Sequence, residues 1–240
     1  ALGNRGGRHL RFSPFCCTDG RDGLVTVSVA TLVRRLTADE PMLYSLSKQR
    51  YRTMADRELS TAAQRQVNTL RWMLPLQARL QEITRSLGKT EGLDCLEMGF
   101  DNGAISRQLR RRGGDWHTCV RNPDELAGVR ELVGDQVTVL EGDRLPFDNK
   151  TFDTVVVVDL LERVEDVDAF IEECHRILKP AGHLVLSVGH HKSYTLIPQL
   201  RRWLGDSAEG RGFVRYGYTE SHLFVILKHG FDVLQVRTYS

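Results

Sequence analysis

A doubly wound α/β fold, with a mainly parallel sheet and helices on both faces, is what this 240-residue chain predicts. Short apolar runs alternate with amphipathic helical stretches from residue 93 onward. Runs such as Val155 to Val158 and Leu184 to Val188 are apolar almost throughout rather than at every second position, and a glycine-bearing turn separates the first run from the first helix. A strand apolar at consecutive positions is buried on both faces, as in a parallel sheet covered by helices. Repeated strand-helix units then require right-handed crossovers and a parallel sheet.

In chain order, Ser60 reads as a helix N-cap, and Val67, Leu70 and Leu74 carry a helix that Pro75 kinks or ends. Leu76, Leu80, Ile83 and Leu87 fall on one face of a second helix closed by Gly88. The pattern then predicts strand 93–98, helix 104–112, strand 116–120, helix 124–132 and strand 137–140. Strand 154–159, helix 167–178, strand 183–188, helix 219–228 and strand 232–238 follow. Ligands of such sheets bind beyond the carboxyl ends of the strands, where the winding reverses, which places a site above Gly99 and Asp159.

Residues 1–45 combine a Gly/Arg-rich start, a Ser13-Pro14 turn signal, adjacent Cys16 and Cys17, and a Val/Leu run over 24–33. Partial disorder is the expectation there. The division is therefore a poorly ordered N-terminal extension over 1–45, a helical cap segment over 46–92 and the α/β domain over 93–240.

The chain is 41% hydrophobic and 27% charged, enough for a full-sized core. No apolar run approaches the roughly 20 residues that span a bilayer, and the N-terminus shows no apolar signal segment. Five cysteines, odd in number and with no Cys-x-x-Cys pair, argue against a disulfide framework and against a zinc site. A reducing cytoplasm is the expected compartment. The net charge of +2 hides an asymmetry: residues 1–112 carry 19 Lys and Arg against 11 Asp and Glu, and residues 113–240 carry 14 against 20. Without interleaved aromatics or a nucleic-acid motif, the basic half, including Arg65, Arg71, Arg79 and Arg85, reads as solvated helix faces.

The chemistry-bearing stretch is Leu96-Glu97-Met98-Gly99-Phe100-Asp101-Asn102-Gly103, a strand-to-helix turn whose glycines let backbone approach a ligand. Downstream stand Leu145-Pro146-Phe147, Phe152-Asp153-Thr154-Val155-Val156-Val157-Val158 and Leu178-Lys179-Pro180-Ala181-Gly182-His183-Leu184-Val185-Leu186-Ser187. Four motifs in this order resemble the class I S-adenosylmethionine-dependent methyltransferases, in the small-molecule branch related to the ubiquinone and menaquinone methyltransferases. The resemblance covers roughly residues 60–240.

It implies a Rossmann-like domain, S-adenosylmethionine as cofactor and a small acceptor entering between the N-terminal helices and residues 189–218. The family's cofactor-binding residues map onto Glu97 at the methionine end, Gly99 and Gly103 beneath it, and Asp143 at the adenine. The family sheet closes with an antiparallel strand between the fifth and sixth, which this chain, ending at Ser240, does not supply at its C-terminus. Either the chain is truncated or the last segment pairs differently.

The chain also departs from the family pattern. Asp101 stands at a usual glycine, close to the cofactor's own carboxylate unless it turns toward the ammonium. Arg121 stands where an acidic residue meets the ribose, leaving Asn122 or Asp124 as substitutes, since arginine accepts no hydrogen bond. The segment 142–146 is about two residues short of the family's, Leu161-Glu162-Arg163 replaces a common Leu-Glu-His, and Ala181 replaces a glycine.

Methyl transfer needs a positioned nucleophile and a dry site more than a fixed triad. Asp159 is a candidate catalytic and cofactor-facing residue, or else the N-cap of the segment 160–164. His190, followed by His191, is a candidate base or an exposed loop pair. Trp203, Phe213, Tyr216 and Tyr218 suggest an apolar or planar acceptor, or core packing. Two other functions remain open: a methyltransferase-like binding or scaffold protein without donor affinity, and an RNA methyltransferase resting on the basic half. The oligomeric state is not legible.

Overall fold

The computed structural model describes residues 24–30, 59–99, 103–140, 142, 144–189, 214–215, 217–228 and 230–239. Its strands are β1 (Leu24–Ala30), β2 (Asp94–Gly99), β3 (Asp115–Val120), β4 (Val137–Val139), β5 (Phe152–Val158), β6 (Leu178–Gly189) and β7 (Asp232–Tyr239). The helices are α1 (Thr61–Trp72), α2 (Leu74–Leu87), α3 (Ala104–Arg110), α4 (Leu126–Val133), α5 (Val167–Ile177) and α6 (Glu220–Leu227). Each element expected from residue 60 onward is present, with ends that differ by a few residues.

Local chemistry accounts for several boundaries. The Ser60 hydroxyl accepts from the Ala63 amide at 3.2 Å and caps α1. Pro75 sits in the first turn of α2, where its missing N–H costs nothing, so it separates two helices rather than bending one. Gly88 closes α2 at φ 66°, a left-handed conformation that favours glycine. Asp166 and Thr219 accept from Ala169 and His222 and cap α5 and α6.

All strands share one sheet of order β4-β3-β2-β5-β6-β1-β7. The five strands from β4 to β6 are parallel, with Gly99 level with Val158 across the β2/β5 pair. The chain winds outward from β2 through β3 to β4 and returns on the other side at β5. The winding therefore reverses between β2 and β5, beside Gly99 and Asp159.

The N-terminal segment corrects two expectations. Leu24–Ala30 is a strand of the sheet, antiparallel to β6 on one side and to β7 on the other. It fills the antiparallel place for which the C-terminal end offered no strand, and β7 reaches the sheet only through it. The remainder of the expected disordered extension lies outside the described residues. The segment's alternation could be read in the sequence, but not its partners, because Leu24 pairs with Gly189 far along the chain.

Alternate residues of β2, β5 and β6 feed two cores. Leu96, Met98, Val155, Val157, Leu184 and Leu186 pack toward α5 and α6 with Phe170, Ile171, Cys174 and Leu223. Cys95, Val156, Val158 and Val185 pack toward α2 and α3 with Ile83, Ile105 and Leu109. A third cluster joins Ala63 of α1 to Val129, Leu132 and Val133 of α4. The Val155–Val158 run is fully buried because both of its faces are covered. Among the described residues, no helix is long and apolar enough to cross a membrane.

Candidate functional site

The carboxyl edge of β2 carries a buried carboxylate. Glu97 is 0% exposed and its Oε2 accepts from the Ser106 hydroxyl at 2.5 Å. One helical turn on from Ser106, Arg110 is 7% exposed and donates to the Ser106 carbonyl, the Thr118 hydroxyl and the Trp116 carbonyl at 3.3, 2.9 and 2.8 Å. Thr118 is the β3 neighbour of Glu97. Burial lowers the Arg110 guanidinium to about 10, opposed by the Glu97 charge, so it stays a cation at neutral pH. Glu97 is thus held against α3 by the Ser106 hydroxyl, with the buried Arg110 charge nearby.

Gly99 follows from Glu97. A Cβ there would lie 2.7 Å from Glu97 Oε1 and 3.2 Å from Val158 Cβ. The absent side chain leaves the cradle in which the Glu97 carboxylate lies beside the strand end. Gly103 has a different reason: at φ 85° it is left-handed, and a Cβ would meet Val129 and Leu132 of α4 at 3.3 Å. Its requirement is the tight turn and close helix packing. Asp101, Asp143 and His190 lie outside the described residues.

At the end of β3, Arg121 donates from Nη1 to the Arg163 carbonyl at 2.9 Å. The bond joins the residues that follow β3 and β5, the strands on either side of β2. Asn122 uses its Oδ1 to accept from the Asp124 amide at 3.0 Å and caps the 3₁₀ turn Pro123–Glu125. That acceptor oxygen is already engaged.

Asp159 follows β5 at φ 51°, a left-handed conformation uncommon outside glycine. Its amide donates to the Ser187 carbonyl at 2.9 Å, and its carboxylate forms an ion pair with Arg79 of α2. It does not cap the following 3₁₀ turn, Leu161–Arg163, whose N-cap is Leu160 with no side-chain cap. Burial raises the Asp159 carboxyl, while the charges of Arg79 and Arg163 pull it down. The Arg79 side chain is 11% exposed. It is therefore not the solvated arginine that the basic pattern suggested. The signal was present, since Arg79 lies three residues after Leu76 and four before Ile83, on the buried face of α2.

Glu162 is the residue that the sequence reading passed over. It is 2% exposed, its Oε1 accepts from the Gly189 amide, and its Oε2 has no partner among the described residues. Burial, reinforced by the Asp159 charge, pushes its carboxyl up to about 7. Its backbone carbonyl accepts from the Val214 and Arg215 amides at 2.9 and 3.2 Å. Of the two readings for Tyr218, core packing holds: it lies in the core on the α5/α6 face and donates to the Leu161 carbonyl at 2.9 Å. Trp203, Phe213 and Tyr216 lie outside the described residues. Cys95, Cys119 and Cys174 are buried free thiols, and burial raises all three, Cys119 to about 12, so none is a thiolate at neutral pH.

Residues 96–186, the span that holds the Glu97 cradle, the switch point and Glu162, match the family described as a methyltransferase domain. Among curated relatives, the demethylmenaquinone methyltransferase of Tropheryma whipplei (strain Twist) is 31% identical over 124 residues, 50% of this chain and 52% of that protein. The ubiquinone biosynthesis O-methyltransferase of Alkalilimnicola ehrlichii is 29% identical over 117 residues, 45% of this chain and 47% of that protein. The chain thus spans about half the length of the curated relatives it matches.

Solved structures share the fold of this part of the chain. A protein of Bacillus halodurans C-125 aligns with a TM-score of 0.50 at 18% identity, covering 63% of this chain and 66% of that one. MccD protein aligns with a TM-score of 0.52 at 13% identity, covering 65% and 70%.

Proposed function

We propose that the domain transfers a methyl group from S-adenosylmethionine to a small, apolar or planar acceptor. The cradle between Glu97 and Val158, which a Cβ at Gly99 would fill, carries this reading. It lies at the reversal of winding, where a doubly wound sheet binds its ligand. Glu97 and Gly99 would hold the methionine end, with Gly103, Asp101 and Asp143 in the roles the family resemblance gives them. When bound, the cofactor supplies a methyl group already activated on a sulfonium. What remains for the protein is to orient the acceptor in line and to exclude water. Asp159, fixed by Arg79 and by the Ser187 carbonyl, faces the acceptor side, and His190 is a second candidate base. The family of the matched domain and the quinone-related names of its relatives favour a small molecule over RNA as acceptor. Three buried, unpaired cysteines favour a reducing, cytoplasmic compartment.

Arg121 is the test particular to this chain. Its guanidinium is bonded to the Arg163 carbonyl, and an arginine offers the ribose no acceptor. Replacing Arg121 with Asp should open the edge and supply two acceptor oxygens, tightening S-adenosylmethionine by about 1 kcal/mol, the usual net value of a hydrogen bond. Paired calorimetric titrations at equal salt measure the change. Equal or weaker binding would mean that the ribose is held by other residues and that Arg121 does not obstruct it.

A further inference from the structure

Beyond the donor site, Glu162 is a buried carboxylate that is incompletely partnered among the described residues. It is 2% exposed, the Gly189 amide donates to its Oε1, its own backbone amide lies close to the carboxyl group, and its Oε2 has no hydrogen-bond partner among the described residues. A buried carboxylate oxygen left without a donor is costly, and such groups persist where a ligand completes them.

We propose that Glu162, beside Asp159, forms the acceptor subsite of this methyltransferase, and that the acceptor offers a hydroxyl or amine hydrogen to Glu162 Oε2. The inference rests on the methyltransferase reading and adds the chemistry of the acceptor.

The position fits. Glu162 lies three residues beyond the left-handed Asp159 and is tied by Gly189 to the end of β6, so its carboxylate stands at the carboxyl edge between β5 and β6. The surrounding charges are Asp159 at the end of β5, Arg79 of α2 and Arg163 of the same turn, with Arg215 and Tyr218 before α6. Arg79 is engaged by Asp159, and Arg215 donates to the Tyr218 hydroxyl and the Glu165 carbonyl. Two neighbouring carboxylates repel an anionic acceptor group and favour a neutral or cationic hydrogen-bond donor. The Glu162 carboxyl, held near 7, is poised to take a proton at neutral pH.

The step balances. A lone pair on the acceptor oxygen or nitrogen forms the new bond to the methyl carbon, and the broken carbon–sulfur bond leaves its electron pair on sulfur, converting sulfonium to thioether. The acceptor proton passes to Glu162 Oε2 and then to solvent. The positive charge of the donor is thereby discharged onto the carboxylate.

The test uses the full chain with S-adenosylmethionine and two acceptor probes, catechol for a hydroxyl and aniline for an amine, with 1,2-dimethoxybenzene as a competitor lacking the donor hydrogen. The wild type should methylate at least one probe, with a rate that rises with pH through about 7 as Glu162 ionises, and 1,2-dimethoxybenzene should not inhibit. Glu162→Gln keeps an acceptor for the Gly189 amide. It should bind S-adenosylmethionine as the wild type does, yet lose turnover roughly 100-fold or more, the usual range for general-base loss, together with the pH-dependent limb. Glu162→Asp should restore the limb and part of the rate, which a merely structural carboxyl would not do. A Glu162→Gln protein that turns over within about threefold of wild type, or keeps the limb, overturns the subsite. So does a wild type that binds S-adenosylmethionine but methylates neither probe. A wild type that does not bind S-adenosylmethionine overturns the methyltransferase reading itself, which the titration reports separately.

Discussion

Replacing Arg110 with Met should cost the fold about 3–5 kcal/mol, the loss expected when three buried hydrogen bonds to one guanidinium disappear together. The change deletes the donors to Ser106, Thr118 and Trp116 and leaves the Glu97 carboxylate buried without the cation that faces it. For a chain of this length that corresponds to a melting temperature lower by roughly 6–20 °C. Arg110→Lys keeps the charge but not the planar fork, so it should fall between the two. Urea unfolding followed by circular dichroism measures the loss. A cost below about 1 kcal/mol would mean that water already solvates Glu97, contrary to its complete burial.

Replacing Gly99 with Val should abolish donor binding. The new Cβ would meet Glu97 Oε1 at 2.7 Å and Val158 Cβ at 3.2 Å, so the side chain fills the cradle and drives the carboxylate out of it. Overpacking of this kind costs about 1–3 kcal/mol, which leaves the variant folded enough to titrate. If wild type and Gly99→Val bind S-adenosylmethionine equally well, the donor does not sit at this strand end.

The two predictions concern one structure whose parts were unequally legible in the sequence. The parallel strands could be read because Val155 to Val158 and Leu184 to Val188 advertise burial on both faces. The helices could be read from spaced leucines and from caps at Ser60 and Gly88. Glu97 and Gly99 could be singled out because their spacing is local to one turn. The partners that give the site its charge balance could not, since each comes from a distant segment: Arg110 of α3 against Glu97 of β2, Arg79 of α2 against Asp159, and the Gly189 amide against Glu162. Ser106 and Arg110 look like an ordinary exposed pair four residues apart until β3 is laid beside them. The same limit hid the place of Leu24–Ala30, whose strand pattern was visible but whose neighbours β6 and β7 were not.

The Arg79–Asp159 pair also links the cap to the sheet. The cap helix α2 is tied to the end of β5 by one ion pair whose carboxylate burial would otherwise neutralise. Arg121 makes a second tie across the same edge, from the end of β3 to the turn after β5. Both stand at the reversal point between β2 and β5. Glu162 is tied to the end of β6 by the Gly189 amide.

Whether this edge binds the methyl donor is decided most directly by calorimetric titration of the full chain with S-adenosylmethionine, accompanied by melting curves with and without it. The predicted result is saturable one-to-one binding at the Gly99 cradle, with a stabilisation of about 2.7 kcal/mol at a free ligand concentration 100 times the dissociation constant. The absence of both heat and thermal shift, for S-adenosylmethionine and for its demethylated product, would contradict the account and leave a methyltransferase fold that serves as a scaffold.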